Sequence, residues 1–193
     1  GGVEGFVELI LEGMLARHQQ FGGSAFMLEP QLKMGRGGLR DGHAVRWAAR
    51  LLFGTTHLSV LAERGQVSGI DASAFANAYG FVARTRLCLH ALSRWRNDRL
   101  AFERQADVAR AMGFVHGSNQ DAVGELMRTH YRHAGVLADL AERWLHEWSI
   151  AAAPQEPVTL GPRICRRGDL IAHDGGAPRD IEHVRALLSA ART

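Results

Sequence analysis

One seam constrains this chain more than any other feature. From Val123 the apolar positions recur in alternating steps of four and three, through Met127, His130, Ala134, Leu137, Ala141 and Trp144 to Trp148. That spacing lines one stripe of a long α-helix and cannot alternate across a strand. A stripe of this length has to be covered, so the fold is first a problem of packing helix on helix. Ser118-Asn119 supplies N-cap candidates before the seam, and Pro154 and Pro157 follow its end.

A second long helix is predicted from Phe75, Ala78, Val82, Thr85, Leu89 and Leu92, entered through the cap candidate Asp71. Shorter helical patterns run over Val3 to His18, Leu39 to Phe53, Leu100 to Met112 with Gly113 as the stop, and Asp180 to Ala191. The expected fold class is all-α, a helical bundle of about six helices with two short extended segments. Those segments are Ser24 to Lys33 and Val158 to Ala172, where the helical period fails and Gly and Pro punctuate the chain. Ala151 to Pro157 reads as a linker. The expected organisation is a helical domain over 1–150, then linker and C-terminal appendage over 151–193.

The chain has 193 residues, 46% hydrophobic and 22% charged, which supports one ordinary core and excludes a disordered tail or a fibrous repeat. It contains no apolar run of 18 residues, and its first residues lack a basic n-region, so it is expected to be neither membrane-spanning nor secreted, and to be excised from something longer. Cys88 and Cys165 are too few for a disulfide framework and have no partner at metal spacing, which makes a reducing cytoplasm the default. Of 23 Lys and Arg residues, only Lys33 is lysine. A GC-rich coding bias accounts for the general excess of Arg. It also singles out Lys33 as a compact, strongly hydrated charge that Arg does not reproduce.

The most unusual stretch is Glu29-Pro30-Gln31-Leu32-Lys33-Met34-Gly35-Arg36-Gly37-Gly38-Leu39-Arg40-Asp41. Its glycines allow close backbone approach and the following residues open a helix, so with Lys33, Arg36 and Arg40 the segment could cradle phosphates. It has neither the G-K-[ST] ending of a P-loop nor a G-x-G-x-x-G turn. The competing reading is a tight turn in which Arg40 and Asp41 pair with neighbouring helices. The candidate anion-binding residues are therefore Lys33, Arg36, Gly37, Gly38, Arg40 and Asp41.

Arginine is dense between Arg84 and Arg110, including Arg99, and Arg128 and Arg132 flank Tyr131. Arg99, Arg128 and Arg132 form a candidate secondary basic surface for a polyphosphate, nucleic acid or an acidic protein; the alternative is a solvated face. Aromatic residues are sparse there, so nucleic acid is not the expected partner. His130 and His133 lie at i, i+3 without a carboxylate in that turn, and His130 falls on the seam as a core or interface histidine. His173-Asp174 lacks upstream metal-ligand partners, and no D-x-D pair, G-x-S-x-G or Cys-His arrangement stands out. No catalytic residue and no metal ligand is expected in this chain.

Four blocks, in order, carry a family resemblance: Glu29-Pro30-x-Leu32-Lys33-x-Gly35-x-Gly37-Gly38-Leu39-Arg40-Asp41; Leu89-His90; Arg99-Leu100-x-Phe102-Glu103-x-Gln105 with Ala109 and Gly113; and Met127-Arg128-x-x-Tyr131-Arg132-x-Ala134. Together they resemble the helical region of the bifunctional uridylyltransferase/uridylyl-removing enzyme of nitrogen-regulatory protein PII. The resemblance implies a preceding nucleotidyltransferase core, with Val3 to His18 a candidate for its last helix, and following HD and ACT domains. It implies a parent that transfers UMP from UTP to a PII tyrosine with Mg²⁺ held outside this chain, and removes it again, while the isolated chain is inactive. In it, Lys33 and Arg40 would offset phosphate charge, Gly37 and Gly38 would admit the ligand, and Asp41 would orient Arg40. The alternatives are a purely structural interdomain bundle, the equivalent region of a glutamine-synthetase adenylyltransferase, and an independent nucleic-acid module. Three positions depart from the family pattern: Gln31 in place of Asn, Gly42 in place of a large apolar residue, and Ala44 in place of Thr.

Overall fold

The computed structural model describes residues 3–93, 97–115, 118–152, 158–161, 164–167 and 170–173. The chain separates into two compact units, Gly1–Ala152 and Ala153–Thr193, each considered by itself. The first unit is all-α among its described residues: α1 Val3–Gln20, α2 Leu39–Phe53, α3 Leu58–Glu63, α4 Gly69–Leu92, α5 Phe102–Ala111 and α6 Asn119–Ala152.

The 34-residue α6 is the axis, and it packs against α1, α2, α4 and α5. Every seam residue from Met127 to Trp148 is buried, with Leu137 and Ala141 fully so. Trp144 stacks on Trp148 at 6.1 Å and meets Phe75 of α4 at 5.3 Å, while Phe53 of α2 packs edge-on to Trp148. Full burial of one such side chain contributes about 1.5–3 kcal/mol. An exposed ion pair such as Arg143–Asp71, 2.6 Å between α6 and α4, contributes about 1 kcal/mol at most. Packing of the seam, not surface charge, therefore sets where α6 lies.

Ser118 starts α6 as the sequence suggests: its N–H donates to Asp121 Oδ2 at 2.9 Å, and its Oγ accepts the Asp121 N–H at 3.3 Å. Asp71 is not the cap of α4. The N-cap is Ser68, and Asp71 sits in the first turn, where the helix dipole favours a carboxylate. The short α3, which the periodicity does not announce, closes the turn between α2 and α4 through buried Leu58 and Leu61.

Ser24 to Lys33, expected as extended backbone or a short hairpin, does not pair with itself: among the described residues its ladder contact is an antiparallel bridge between Gln31 and Arg99, extended by Leu32 N–H to Asp98 O at 2.8 Å and Leu100 N–H to Pro30 O at 2.9 Å. In the second unit, β1 Val158–Gly161, β2 Ile164–Arg167 and β3 Leu170–His173 form an antiparallel meander in the order β1-β2-β3. The helix expected over Asp180 to Ala191 lies outside the described residues.

Candidate functional site

The four sequence blocks, far apart in the chain, converge on the loop between α1 and α2. Glu29 accepts the N–H of Phe102 at 2.8 Å, capping α5, and pairs with Arg99. The backbone bond from Phe102 is the leading cause that holds the Glu29 carboxyl below its ordinary range. Buried Gln105 donates to Leu28 O at 2.8 Å and Leu100 O at 3.2 Å. Asp98 accepts from Arg86 at 2.6 Å and faces His90 Nε2 at 2.8 Å; Tyr131 donates to Met27 O at 3.2 Å.

The glycine turn is packed against α6 instead of opening outward. Gly37 holds φ +76°, and a Cβ there would lie 2.2 Å from the Ala134 carbonyl oxygen, so only glycine lets the two backbones touch. The turn's donors are used internally. Gly35 donates to Gln31 O, Gly38 to Gly35 O, Leu39 to Leu32 O, Arg40 to Lys33 O and Asp41 to Gly38 O, all at 2.9–3.0 Å. The Lys33 N–H donates to Gln31 Oε1 at 3.1 Å, so the departing Gln31 closes the turn on itself. The remaining cavity beneath the turn is about 10 Å³, room for one water at most. This counts against the backbone cradle: from Lys33 to Asp41, every N–H except that of Arg36 already has an acceptor within the chain, so the turn does not present a set of free donors to an anion.

Asp41 is corrected likewise. Its fully buried carboxylate does not orient Arg40; it accepts Gly37 N–H at 2.7 Å, Arg17 Nη2 at 2.8 Å and His18 Nε2 at 2.9 Å, tying the turn to α1. Arg17 also reaches Met34 O at 2.9 Å. Arg36 is held by α6, with Nε 2.8 Å from Glu142 Oε1 and Nη2 3.1 Å from Oε2, a fork-on-fork pair that raises its pKa further. His18 Nδ1 lies 3.5 Å from the same Glu142, so one polar chain runs from Gly37 through α1 to α6.

Two candidates keep their side chains available. Lys33 and Arg40 are half-buried and make no ion pair among the described residues. Arg40 stands 5.7 Å over the exposed ring of Trp47, a cation–π contact. Around them the fold assembles His43, Arg46 and Tyr79. His43 Nε2 meets Tyr79 Oη at 3.1 Å, and Arg46 stacks on the Tyr79 ring at 4.1 Å. Burial first, then Arg40, Arg46, Lys33 and Arg86, holds His43 below its ordinary pKa. Four cations from three segments thus crowd one imidazole. Gly42 makes the arrangement possible, because a Cβ there would lie 2.4 Å from Tyr79 Cδ2. Arg40, His43 and Trp47 at i, i+3, i+7 were a readable stripe in the sequence; the arrival of Tyr79 from α4 was not.

The secondary basic surface divides. Arg99 is taken by Glu29, whereas Arg128 and Arg132 lie exposed on α6. Arg132 and Arg84 flank His133, which stacks on Phe81 at 4.6 Å; burial and these two arginines hold its pKa low. His130 is a core histidine, as its place on the seam suggests, but not a satisfied one: its Nδ1 has no partner, and burial pushes its pKa down to about 4. Among the described residues no group of three or more His, Cys, Asp or Glu is placed to hold a metal, and no helix is long and apolar enough to cross a membrane.

The family model described as GlnD PII-uridylyltransferase matches residues 5–145. A bifunctional uridylyltransferase/uridylyl-removing enzyme of Xanthomonas axonopodis pv. citri is 34% identical over 188 residues, 95% of this chain and 22% of that protein. The enzyme of the same name from Rhodospirillum rubrum is 35% identical over 194 residues, covering 95% and 20%. That from Pseudomonas aeruginosa is 31% identical over 147 residues, covering 76% and 16%. No solved structure matches. The chain spans about a fifth of the length of the curated relatives it matches.

Proposed function

This chain belongs to the GlnD PII-uridylyltransferase family, and on that footing we propose that it is the helical region of an enzyme that transfers UMP from UTP to a PII tyrosine and removes it. Its proposed neighbours are a nucleotidyltransferase core and an HD domain, and its proposed compartment is the cytoplasm. Its part is to bind the phosphates of UTP, or to place PII, through the outer face of α2. The observation that carries this reading is the fate of the six candidates: four are built into the turn, while Lys33 and Arg40 make no ion pair among the described residues and both bear on His43. Cations held without partners raise the local concentration of anions and stabilise charge that develops on them.

The Mg²⁺ of the parent reaction does not suit these residues. Asp41 is spent on Gly37, Arg17 and His18, and Glu142 on Arg36, so the metal's ligands would come from other segments of the parent. UTP affinity and transfer, measured in the full-length enzyme after Lys33→Ala and Arg40→Ala, test the proposal. Each variant is expected to weaken UTP binding or PII turnover about tenfold, equivalent to about 1.4 kcal/mol. Unchanged values with a normal melting temperature would remove the role.

The buried Asp41 network favours a second reading, in which the domain braces its neighbours without touching substrate. It predicts that Arg17→Ala, which removes a partner of Asp41, lowers the melting temperature, while Lys33→Ala and Arg40→Ala leave the kinetics unchanged.

A further inference from the structure

On the far side of Arg46 from the α2 N-terminus, an open cleft of about 650 Å³ lies between α2, α3 and α4. Ala62 and Ala76 line it with accessible apolar surface above the buried Leu58, Ala72 and Phe75, and His57 and Ser73 add polar groups. Its volume is in the range that small-molecule sites occupy. The residues that line it include no carboxylate, and the one charged member is Arg46.

Arg46 is positioned rather than loose. Its guanidinium rests on the Tyr79 ring at 4.1 Å; Tyr79 is fixed by the His43 contact at 3.1 Å and seated against the bare backbone of Gly42. No carboxylate neutralises Arg46 among the described residues. A guanidinium stacked on an aromatic ring keeps its donor edge free for a planar or tetrahedral anion, and a pre-placed side chain loses less entropy when it binds one.

We propose that this cleft is a binding site for a small amphipathic anion, with a phosphate or carboxylate on Arg46 and an apolar or aromatic body between Ala62 and Ala76. The site is distinct from the Lys33–Arg40 face and needs no transfer reaction to be observed. Gly42, Tyr79 and His43 are its positioning residues. The complementarity is of both kinds: accessible apolar walls at Ala62 and Ala76 for the body, and an oriented cation with no ion pair among the described residues for the charge.

Phenyl phosphate and inorganic phosphate serve as probes, titrated separately into the 193-residue chain and followed by amide NMR shifts. Phenyl phosphate is expected to saturate, with the largest shifts at Ser59, Ala62, Ser73 and Ala76, and to bind at least tenfold more tightly than inorganic phosphate. Arg46→Gln is expected to weaken it at least tenfold. Ala76→Trp, an exposed position on the rim, is expected to block the cleft without entering the core. Arg50→Gln, one turn further along α2 and outside the cleft, is expected to change nothing. No saturable shift at those residues, equal affinity for inorganic phosphate, or unaltered affinity in Arg46→Gln and Ala76→Trp would overturn the assignment. Loss of UTP binding in Lys33→Ala with phenyl phosphate binding intact would separate this site from the proposed nucleotide face.

Discussion

Asp41 Oδ2 accepts the backbone N–H of Gly37 at 2.7 Å, four residues back and wholly out of solvent. This bond does the work that a phosphate would do at a glycine-rich anion loop. The carboxylate is the anion of the turn, carried by the chain itself and balanced by Arg17 and His18 from α1. A buried charge so arranged holds three segments in one geometry, and the loss of one partner strands the others.

Asp41→Ala is accordingly expected to destabilise the helical unit by about 3–5 kcal/mol, because it leaves Arg17, His18 and the Gly37 N–H without their acceptor. Urea denaturation followed by far-ultraviolet circular dichroism measures it. A loss below about 1 kcal/mol would mean that the network contributes little.

Gly37→Ala and Gly54→Ala form a matched pair. Both glycines have positive φ, +76° and +72°, but a Cβ at Gly54 meets nothing within 4 Å while one at Gly37 collides with the Ala134 carbonyl. Gly54→Ala is expected to cost about 1–2 kcal/mol from backbone conformation alone. Gly37→Ala should cost more than about 4 kcal/mol, since α6 has to move away. Equal melting temperatures for the two variants would contradict the close approach.

His130 gives a pH dependence of defined sign. Its pKa in the folded chain, about 4, lies below the ordinary histidine value, so the unfolded chain binds the extra proton first. Its contribution is fully present above about pH 6.5 and is lost as pH falls toward about 4, with a total of about 3 kcal/mol at most. His130→Leu should flatten the fall in urea midpoint between pH 7 and pH 5. His43 and His133, also held low, would leave a residual slope.

Glu29→Gln tests the clamp on α5. Loss of the carboxylate weakens both the cap on Phe102 and the pair with Arg99. Hydrogen exchange at Phe102, Glu103 and Arg104 is expected to accelerate, while the amides of α6 around Leu137 keep their protection. Uniform acceleration throughout would instead indicate global destabilisation.

The helices were legible because their information is local. The 3.5-residue seam foretells α6, the cap at Ser118 and the stop at Gly113 follow from side-chain and backbone chemistry within one turn, and α2 runs over the residues its periodicity marks. The four blocks are equally legible as a pattern, and the structure supplies their physical reason: all of them hold the loop between α1 and α2.

The sequence alone determined which segments become helices and which residues could carry charge into a site, since period, caps and ionisable groups are properties of neighbours along the chain. Tertiary structure decided which of those charges remain available. Arg36 and Asp41 are consumed by Glu142, Arg17 and His18, while Tyr79 from α4 positions Arg46, and each partner is more than twenty residues away. Hydrogen bonds and ion pairs saturate: once the fold brings a partner within about 3 Å, that donor or acceptor is withdrawn from any ligand.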